Sequence, residues 1–191
     1  LLSQLNFNPI DRGKLADATL LFECLLKWGP RAVDRLVGEF AFAFWDGVEQ
    51  RLLLGRDVFG HRPLYFHQND GFFAFASMPS GLHALGDIAY DFDADFLAET
   101  LALLPHSSSR THFKYIDRVE PAHVLTVTRR NIRSDKYWHP TGPAGRRLRP
   151  EEYEEGLRSV LDQAVAAQLR GSRDAIGTHL SSGLDSSIVT A

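Results

Sequence analysis

The chain has 191 residues, with 21 Lys and Arg against 24 Asp and Glu, a formal net charge of −3, and 44% hydrophobic residues. The apolar content predicts a buried core and excludes a disordered chain. The nearly balanced charge gives no indication of a nucleic-acid or anionic-membrane partner, and no apolar run approaches the roughly 20 residues of a membrane span. Because Cys24 is the only cysteine, an intramolecular disulfide is excluded and a reducing, cytoplasmic location is predicted.

The two ends of the chain predict a fragment of a longer protein. The first residues, Leu1-Leu2-Ser3-Gln4, contain neither an initiating Met nor the basic segment of a signal peptide. The last residue, Ala191, follows only a few positions of a predicted helix. We therefore expect one domain and part of a second one.

The first predicted element is a Leu-rich helix over residues 17–28, with Asp17 as its N-cap and Gly29 at its end. A second short helix is predicted over residues 31–37. Cys24 lies in the middle of the first helix among Leu and Phe side chains, so we expect a packed thiol rather than a catalytic nucleophile.

Strand patterns follow the two helices. Residues 40–45 alternate large and small side chains but are apolar on both faces, which predicts an interior strand covered on each side. The turn at Asp46-Gly47 predicts a hairpin with residues 51–55. Further elements are predicted as strands at 64–66 and 72–77, a helix at 93–103, and a hairpin of 119–127 with 132–138.

Charged residues within the strand region have structural explanations. Arg56-Asp57 lies between apolar strands and would need partners if buried, so we favour a structural ion pair or turn lock over contact with a substrate. His61, His67 and His83 lack the spacing of a local metal site and are expected at the surface or packed in the core.

The last third of the chain has a different organisation. Residues 141–147 have the composition of a linker, so we divide the chain into a domain at 1–140, a linker at 141–150 and a second domain at 151–191. The clearest helical periodicity covers residues 150–171, and a strand is predicted at 175–180. This succession is typical of the first unit of a parallel α/β sheet.

A loop of small and polar residues, Ser181-Ser182-Gly183-Leu184-Asp185-Ser186, follows that predicted strand. Backbone N–H groups in such a loop, together with a helix beginning near Asp185, can hold a phosphate group. An ordinary strand–turn–helix connection is the alternative interpretation, because Ser and Gly are common turn residues.

The loop resembles the Ser-Gly-Gly-x-Asp-Ser pyrophosphate loop of the ATP-pyrophosphatase superfamily, and its setting is most similar to the asparagine synthetase family. Ser182 stands where the family usually has Gly, and serine resists positive φ. The resemblance implies that Asp185 helps to hold Mg²⁺. It also implies an ATP- or pyrophosphate-binding site formed by Leu180, Ser181, Ser182, Gly183, Leu184, Asp185 and Ser186.

The N-terminal region is similar to the glutaminase domain of the same family at residues 36–46, 56–65, 75–77 and 137–140. The resemblance implies an α+β fold, an αββα sandwich of the N-terminal-nucleophile hydrolase type. The first helix, strand and loop of a parallel α/β ATP-pyrophosphatase domain would follow it. Two departures, Ser77-Met78-Pro79 for Ser-x-Glu and Pro121-Ala122-His123 for Pro-Gly-His, indicate a divergent member that joins different substrates.

The family's glutaminase residues are a cysteine nucleophile, an arginine and an Asn-Gly pair, and all are expected upstream of Leu1. No catalytic residue can therefore be assigned within the chain. Asp17 falls on the family's aspartate that holds the glutamine α-amino group, and a role as helix N-cap explains this residue equally well.

The resemblance implies part of an ATP-dependent amide-forming ligase, an asparagine synthase that hydrolyses glutamine. Its substrates would be glutamine and aspartate or another carboxylate, and it would form an acyl-adenylate with release of AMP and pyrophosphate. One alternative is a glutaminase-inactive relative, such as a β-lactam synthetase or lasso-peptide cyclase, and a second is a non-catalytic binding module. We expect the fragment alone to be inactive. The sequence is compatible with a homodimer.

Overall fold

The computed structural model describes Leu5 and residues 16–105, 108–142, 149–169, 176–181 and 183–190. The chain forms two compact units, Leu1–Pro140 and Thr141–Ala191. In the first unit the helices are α1 (Asp17–Trp28), a 3-10 helix (Gly29–Arg35), α2 (Pro79–His83) and α3 (Ala94–Leu101). Its strands are β1 (Ala41–Asp46), β2 (Arg51–Arg56), β3 (Tyr65–Gln68), β4 (Phe73–Ala76), β5 (Asp117–Arg118), β6 (His123–Val127) and β7 (Ile132–Lys136).

The strands of the first unit form two antiparallel sheets. One sheet has the order β1-β2-β6-β7 and the other has the order β4-β3-β5. The predicted hairpins are confirmed, since β1 pairs with β2 through Phe44↔Leu53 and β6 pairs with β7 through Leu125↔Ser134.

Successive side chains of β2 point to opposite faces of the first sheet and pack in different cores. Leu53 faces one side and packs in a core with Cys24 of α1. Its neighbour Leu54 faces the other side and packs with Phe66 of β3, between the two sheets. Because both leucines are fully buried, each contributes about 1.5–3 kcal/mol through removal from water.

A third core lies on the outer side of the second sheet. It contains Leu82 of α2 with Ile88 and Ile116, and Tyr65 of β3 packs against it. Cores therefore alternate as helix on sheet, sheet on sheet, and sheet on helix. This mixed α/β arrangement with antiparallel sheets is consistent with the predicted N-terminal-nucleophile hydrolase-like sandwich.

The described residues contradict the prediction of an interior strand at residues 40–45, because among them β1 pairs with β2 alone and so lies at the edge of the sheet. Ala43 is exposed and Trp45 is 58% exposed, whereas Phe42 is buried. The residue pattern records apolar character on both faces, but it carries no signal about whether a second neighbouring strand is present.

The predicted helix starts need two corrections. Ala16 is the N-cap of α1 and Asp17 is its first helical residue, so the N-cap assignment of Asp17 is wrong by one position. The predicted helix at 31–37 is instead the 3-10 helix Gly29–Arg35, which follows α1 directly and has a proline near its start. Pro30 favours this start because its ring fixes φ near the helical value and its missing N–H costs no bond there.

The second unit contains α4 (Pro150–Leu169) and α5 (Leu184–Thr190). The predicted helix at 150–171 is confirmed over Pro150–Leu169, and none of its described side chains is buried. Residues 170–171 lie outside the described residues. The predicted strand at 175–180 is contradicted by residues 176–180, which form no strand. A strand requires a hydrogen-bonded partner, and the described part of this unit contains no other strand to supply one. Among the described helices of both units, none combines the length and apolarity needed to cross a membrane.

Candidate functional site

The loop before α5 brings Ser181 and Ser186 together. Their hydroxyl oxygens lie 2.8 Å apart, and the backbone N–H of Ser181 donates to Ser186 Oγ over 3.1 Å. Ser186 Oγ is also 3.1 Å from the carbonyl oxygen of Ser181 and 3.2 Å from that of Gly183. One hydroxyl therefore ties the residue that ends the loop to the residue that begins it.

Gly183 makes further hydrogen bonds within the loop. Its N–H donates to Ser181 Oγ over 3.3 Å, and its carbonyl accepts a 2.9 Å hydrogen bond from the Ser187 hydroxyl. A Cβ added at Gly183 would lie 3.3 Å from Ser181 Oγ, so the serine hydroxyl leaves little room for a side chain here. Ser182 lies outside the described residues.

The other described residues of the predicted site lie near the N-terminal end of α5. Asp185 is exposed in the first turn of the helix. Leu180 and Leu184 are 62% and 74% exposed on either side of the loop. The loop thus presents hydroxyls, a backbone turn and one carboxylate together, a set of groups suited to a phosphate and its metal ion.

Asp17 lies in the other unit and is not part of this cluster. Its carboxylate is exposed in the first turn of α1. A negative charge at this end complements the helix dipole. The carboxylate remains accessible for a cationic group.

A buried polar network in the first unit surrounds Asp57, which is only 1% exposed. Its carboxylate accepts hydrogen bonds of 3.1 Å from the backbone N–H groups of Phe59, His61 and Arg62. Burial raises the pKa of Asp57, but these backbone donors outweigh it and hold the pKa below its ordinary value. By accepting these hydrogen bonds, the Asp57 carboxylate fixes the conformation of the loop that follows it.

Arg56 completes the same loop from the other side. Its guanidinium donates to the carbonyls of Arg62 at 2.9 Å and Val119 at 2.7 Å, and also to that of Gly60. Both charged side chains thus bind backbone groups. The predicted turn lock is confirmed by these contacts.

Sequence reasoning missed the role of Ala122, which has a φ of 61° in the left-handed region. Its N–H donates to the carbonyl of Asp57, and its own carbonyl accepts from the N–H of Tyr137. The departure from Pro-Gly-His carried this signal, because a glycine in a family motif often marks positive φ. Ala122 keeps the backbone conformation without the glycine.

The histidines and the cysteine are packed or exposed as predicted. His67 is buried, and its Nδ1–H donates to the carbonyl of Tyr115 over 2.6 Å, while His61 is exposed. The ring of His83 packs against Phe113 at 4.8 Å. Within the described ranges no group of three or more His, Cys, Asp or Glu could hold a metal ion. Cys24 is fully buried, which confirms the prediction of a packed thiol, and this burial raises the pKa of the thiol.

Comparison with known proteins places these features in a family. A glutamine amidotransferase domain family matches residues 12–138, and an asparagine synthase family matches residues 156–191. The asparagine synthase match therefore contains the loop and α5, whereas the amidotransferase match contains Asp17 and the Arg56–Asp57 turn lock.

Individual relatives agree with this assignment. Asparagine synthetase [glutamine-hydrolyzing] 3 of Bacillus subtilis (strain 168) is 31% identical over 182 residues, covering 93% of this chain and 29% of the relative. The putative asparagine synthetase [glutamine-hydrolyzing] 1 of Methanocaldococcus jannaschii is 29% identical, covering 82% and 27%. Amidase chyE of Penicillium rubens is 29% identical, covering 91% and 26%.

The chain spans less than a third of the length of these relatives. Over that span the amidotransferase family model covers most of the first unit and the asparagine synthase model covers most of the second. The chain belongs to the asparagine synthetase (glutamine-hydrolysing) family.

Proposed function

We propose that the intact protein is an ATP-dependent amide-forming ligase, an asparagine synthase that takes its nitrogen from glutamine. The observation that carries the proposal is the convergence of Ser181, Gly183 and Ser186 at the start of α5. This cluster lies within the region that matches the asparagine synthase family.

The loop has the groups that a triphosphate requires. The hydroxyls of Ser181 and Ser186, which bond to each other in the structure, would exchange that bond for oxygens of the β- and γ-phosphates. The backbone N–H groups of residues 181–185 would complete the anion site, with Ser182 among them. Leu180 and Leu184 would lie beside the nucleotide.

Asp185 fits the requirements for a magnesium ligand. Its carboxylate is exposed in the first turn of α5, next to the loop, and supplies the hard oxygen donors that Mg²⁺ prefers. When bound, Mg²⁺ would supply neutralisation of phosphate charge. The residues of the chain would position the triphosphate relative to it.

The proposed reaction has two steps. A carboxylate oxygen of aspartate attacks the α-phosphorus of ATP, and the bond to the bridging oxygen breaks to release pyrophosphate and leave an acyl-adenylate. Ammonia from glutamine then attacks the acyl carbon, so that asparagine forms and AMP departs. The loop at 181–186 favours the first step by holding the charge of the leaving pyrophosphate.

In the amidotransferase domain we propose that Asp17 binds the α-amino group of glutamine. Its alternative role as the N-cap of α1 is removed, because Ala16 occupies that position. Its exposed carboxylate can accept charge-assisted hydrogen bonds from an ammonium group. We assign no nucleophile within the chain.

We propose the same division of the chain at the domain level. Residues 1–140 would be the amidotransferase domain of N-terminal-nucleophile type, 141–150 the linker and 151–191 part of an ATP-pyrophosphatase-type domain. The single, buried Cys24 favours a reducing, cytoplasmic location.

The experiment is release of pyrophosphate by the intact protein with ATP, aspartate and glutamine. We expect Asp185→Ala to lower release at least tenfold, because the loop would lose its magnesium ligand. Asp162→Ala is the matched control, since Asp162 is an exposed acidic residue of α4, and release should be unchanged. Normal release from Asp185→Ala would overturn the assignment.

We also propose a second candidate function, because amidase chyE, a relative not named as an asparagine synthetase, is similar over the same region. Here the same region would serve a relative that acts on a different acyl group or an internal amine and does not hydrolyse glutamine. Comparing glutamine with ammonium chloride as nitrogen source separates the two functions. Product formation that depends on neither nitrogen source supports the second candidate.

A further inference from the structure

Three hairpin turns line one groove of about 910 Å³ in the first unit. They are the β1–β2 turn, the β3–β4 turn at residues 68–73 and the β6–β7 turn at residues 127–132. None of the groove residues belongs to the sets proposed for ATP or glutamine. The groove is therefore a separate feature of the molecule.

The floor of the groove is an apolar row that crosses all four strands of the first sheet. Cross-strand pairing aligns Trp45 with Leu52, Leu52 with Val127, and Val127 with Ile132. Phe73 of the second sheet lines the same groove. Trp45 is 58% exposed. A large ring on an apolar floor offers a surface on which a planar ligand can stack.

The turns around the floor are held in fixed conformations. In each turn, one side-chain oxygen accepts hydrogen bonds from backbone N–H groups two or three positions later. These oxygens are Asp46 Oδ1, Asn69 Oδ1 and Thr128 Oγ1. The groove is therefore preformed, so binding there orders little additional backbone.

The rim of the groove carries more positive than negative charge. Arg129 and Arg130 are both exposed at the groove, and neither makes an ion pair within the described residues. The Asp46 carboxylate already binds Arg51 over 3.1 Å, so the remaining acidic side chain at the rim is Asp70. Two guanidinium groups against one carboxylate favour an anion.

We propose that this groove binds a planar aromatic anion. The ring of the ligand stacks on Trp45 over the apolar row, and its carboxylate or phosphate accepts hydrogen bonds from Arg129 and Arg130. Both halves of the ligand are needed, because the floor supplies apolar contact and the rim supplies charge.

Calorimetric titration of the intact protein tests the proposal with three probes that share one ring: 2-naphthoate, 2-naphthyl phosphate and the neutral 2-naphthylmethanol. We expect saturable binding of at least one anion, and weaker binding of the alcohol by about tenfold or more, in line with loss of a charge-assisted contact. Binding of one anion alone identifies carboxylate or phosphate as the preferred group.

Variants locate the binding site. Combined Arg129→Ala and Arg130→Ala should weaken binding of the anion by about tenfold or more and leave the alcohol unaffected. Trp45→Ala should weaken all probes that bind. The matched control is Arg133→Ala, because Arg133 is an exposed arginine of β7 paired with Asp135 outside the groove. Absence of saturable binding, or equal affinities in the arginine variants and the control, would overturn the proposal.

Discussion

The hydroxyl of Tyr137 donates a 2.8 Å hydrogen bond to the backbone carbonyl of Arg56, a residue 81 positions earlier in the chain. This bond attaches the segment after β7 to the end of β2, where the Arg56–Asp57 turn lock begins. Burial, followed by the charges of Asp57 and Asp34, raises the pKa of Tyr137 to about 12.

Replacing Tyr137 by Phe should therefore destabilise the protein. The Arg56 carbonyl would lose its partner in a half-buried site, at a cost of about 1–2 kcal/mol. Urea unfolding at neutral pH measures the change in the free energy of unfolding. Tyr153→Phe is the control, because Tyr153 is 51% exposed on α4. Equal stability of the two variants would contradict the role of this bond.

Acid stability should depend on Asp57. The folded-state pKa of Asp57 lies below its ordinary value, so its stabilising contribution is present above the unfolded-state pKa of about 3.9 and is lost as pH falls through the folded-state value. Asp57→Asn should lower the free energy of unfolding at pH 7 and flatten its decrease below about pH 4.

The measurement for Asp57 is the urea midpoint between pH 2 and pH 7. Asp70→Asn is a matched control, because Asp70 is an exposed carboxylate on the β3–β4 turn. If the Asp57→Asn variant kept the full acid dependence of the parent chain, the buried carboxylate would not be the source of that dependence.

The left-handed residue Ala122 offers a third prediction. Its φ of 61° strains an L-residue by about 1–2 kcal/mol. Glycine removes that strain but loses a buried methyl of about 0.8 kcal/mol and about 0.5–1 kcal/mol of chain entropy. The terms nearly cancel, so Ala122→Gly should change stability by less than about 1 kcal/mol.

Valine at the same position should behave differently. A β-branched side chain opposes positive φ more strongly than alanine, and Ala122 is only 2% exposed, so overpacking adds about 1–3 kcal/mol. Thermal unfolding of the Gly and Val variants measures both effects. A tolerated valine would show that the backbone at this position is free to relax.

The hairpins, α4 and the helix at α3 were predictable because their residue patterns are local. The Arg56–Asp57 turn lock was predictable in kind, since charges between apolar strands must be satisfied. Its partners at Val119 and Ala122 were not, because they lie more than 60 positions away. The order of the described strands in the first sheet could not be predicted for a similar reason, since strand order depends on distant pairing.

The candidate site shows the same division. Its residue types were recognisable from sequence, because small and polar residues before a helix suit a phosphate loop. The bond between Ser181 and Ser186 depends on the path of the backbone and could be seen only in the structure. The residue pattern at 175–180 is typical of a strand, but residues 176–180 form none and the described part of the unit contains no strand to pair with them.

The proposed acyl-adenylate is tested most directly by isotope transfer in the intact protein. Aspartate labelled with ¹⁸O in its side-chain carboxylate is incubated with ATP and glutamine, and the nucleotide and phosphate products are analysed by mass spectrometry. The account predicts one labelled oxygen in AMP and none in pyrophosphate, because the carboxylate oxygen attacks the α-phosphorus. Label in inorganic phosphate together with ADP would contradict the account, since it would place the attack at the γ-phosphorus.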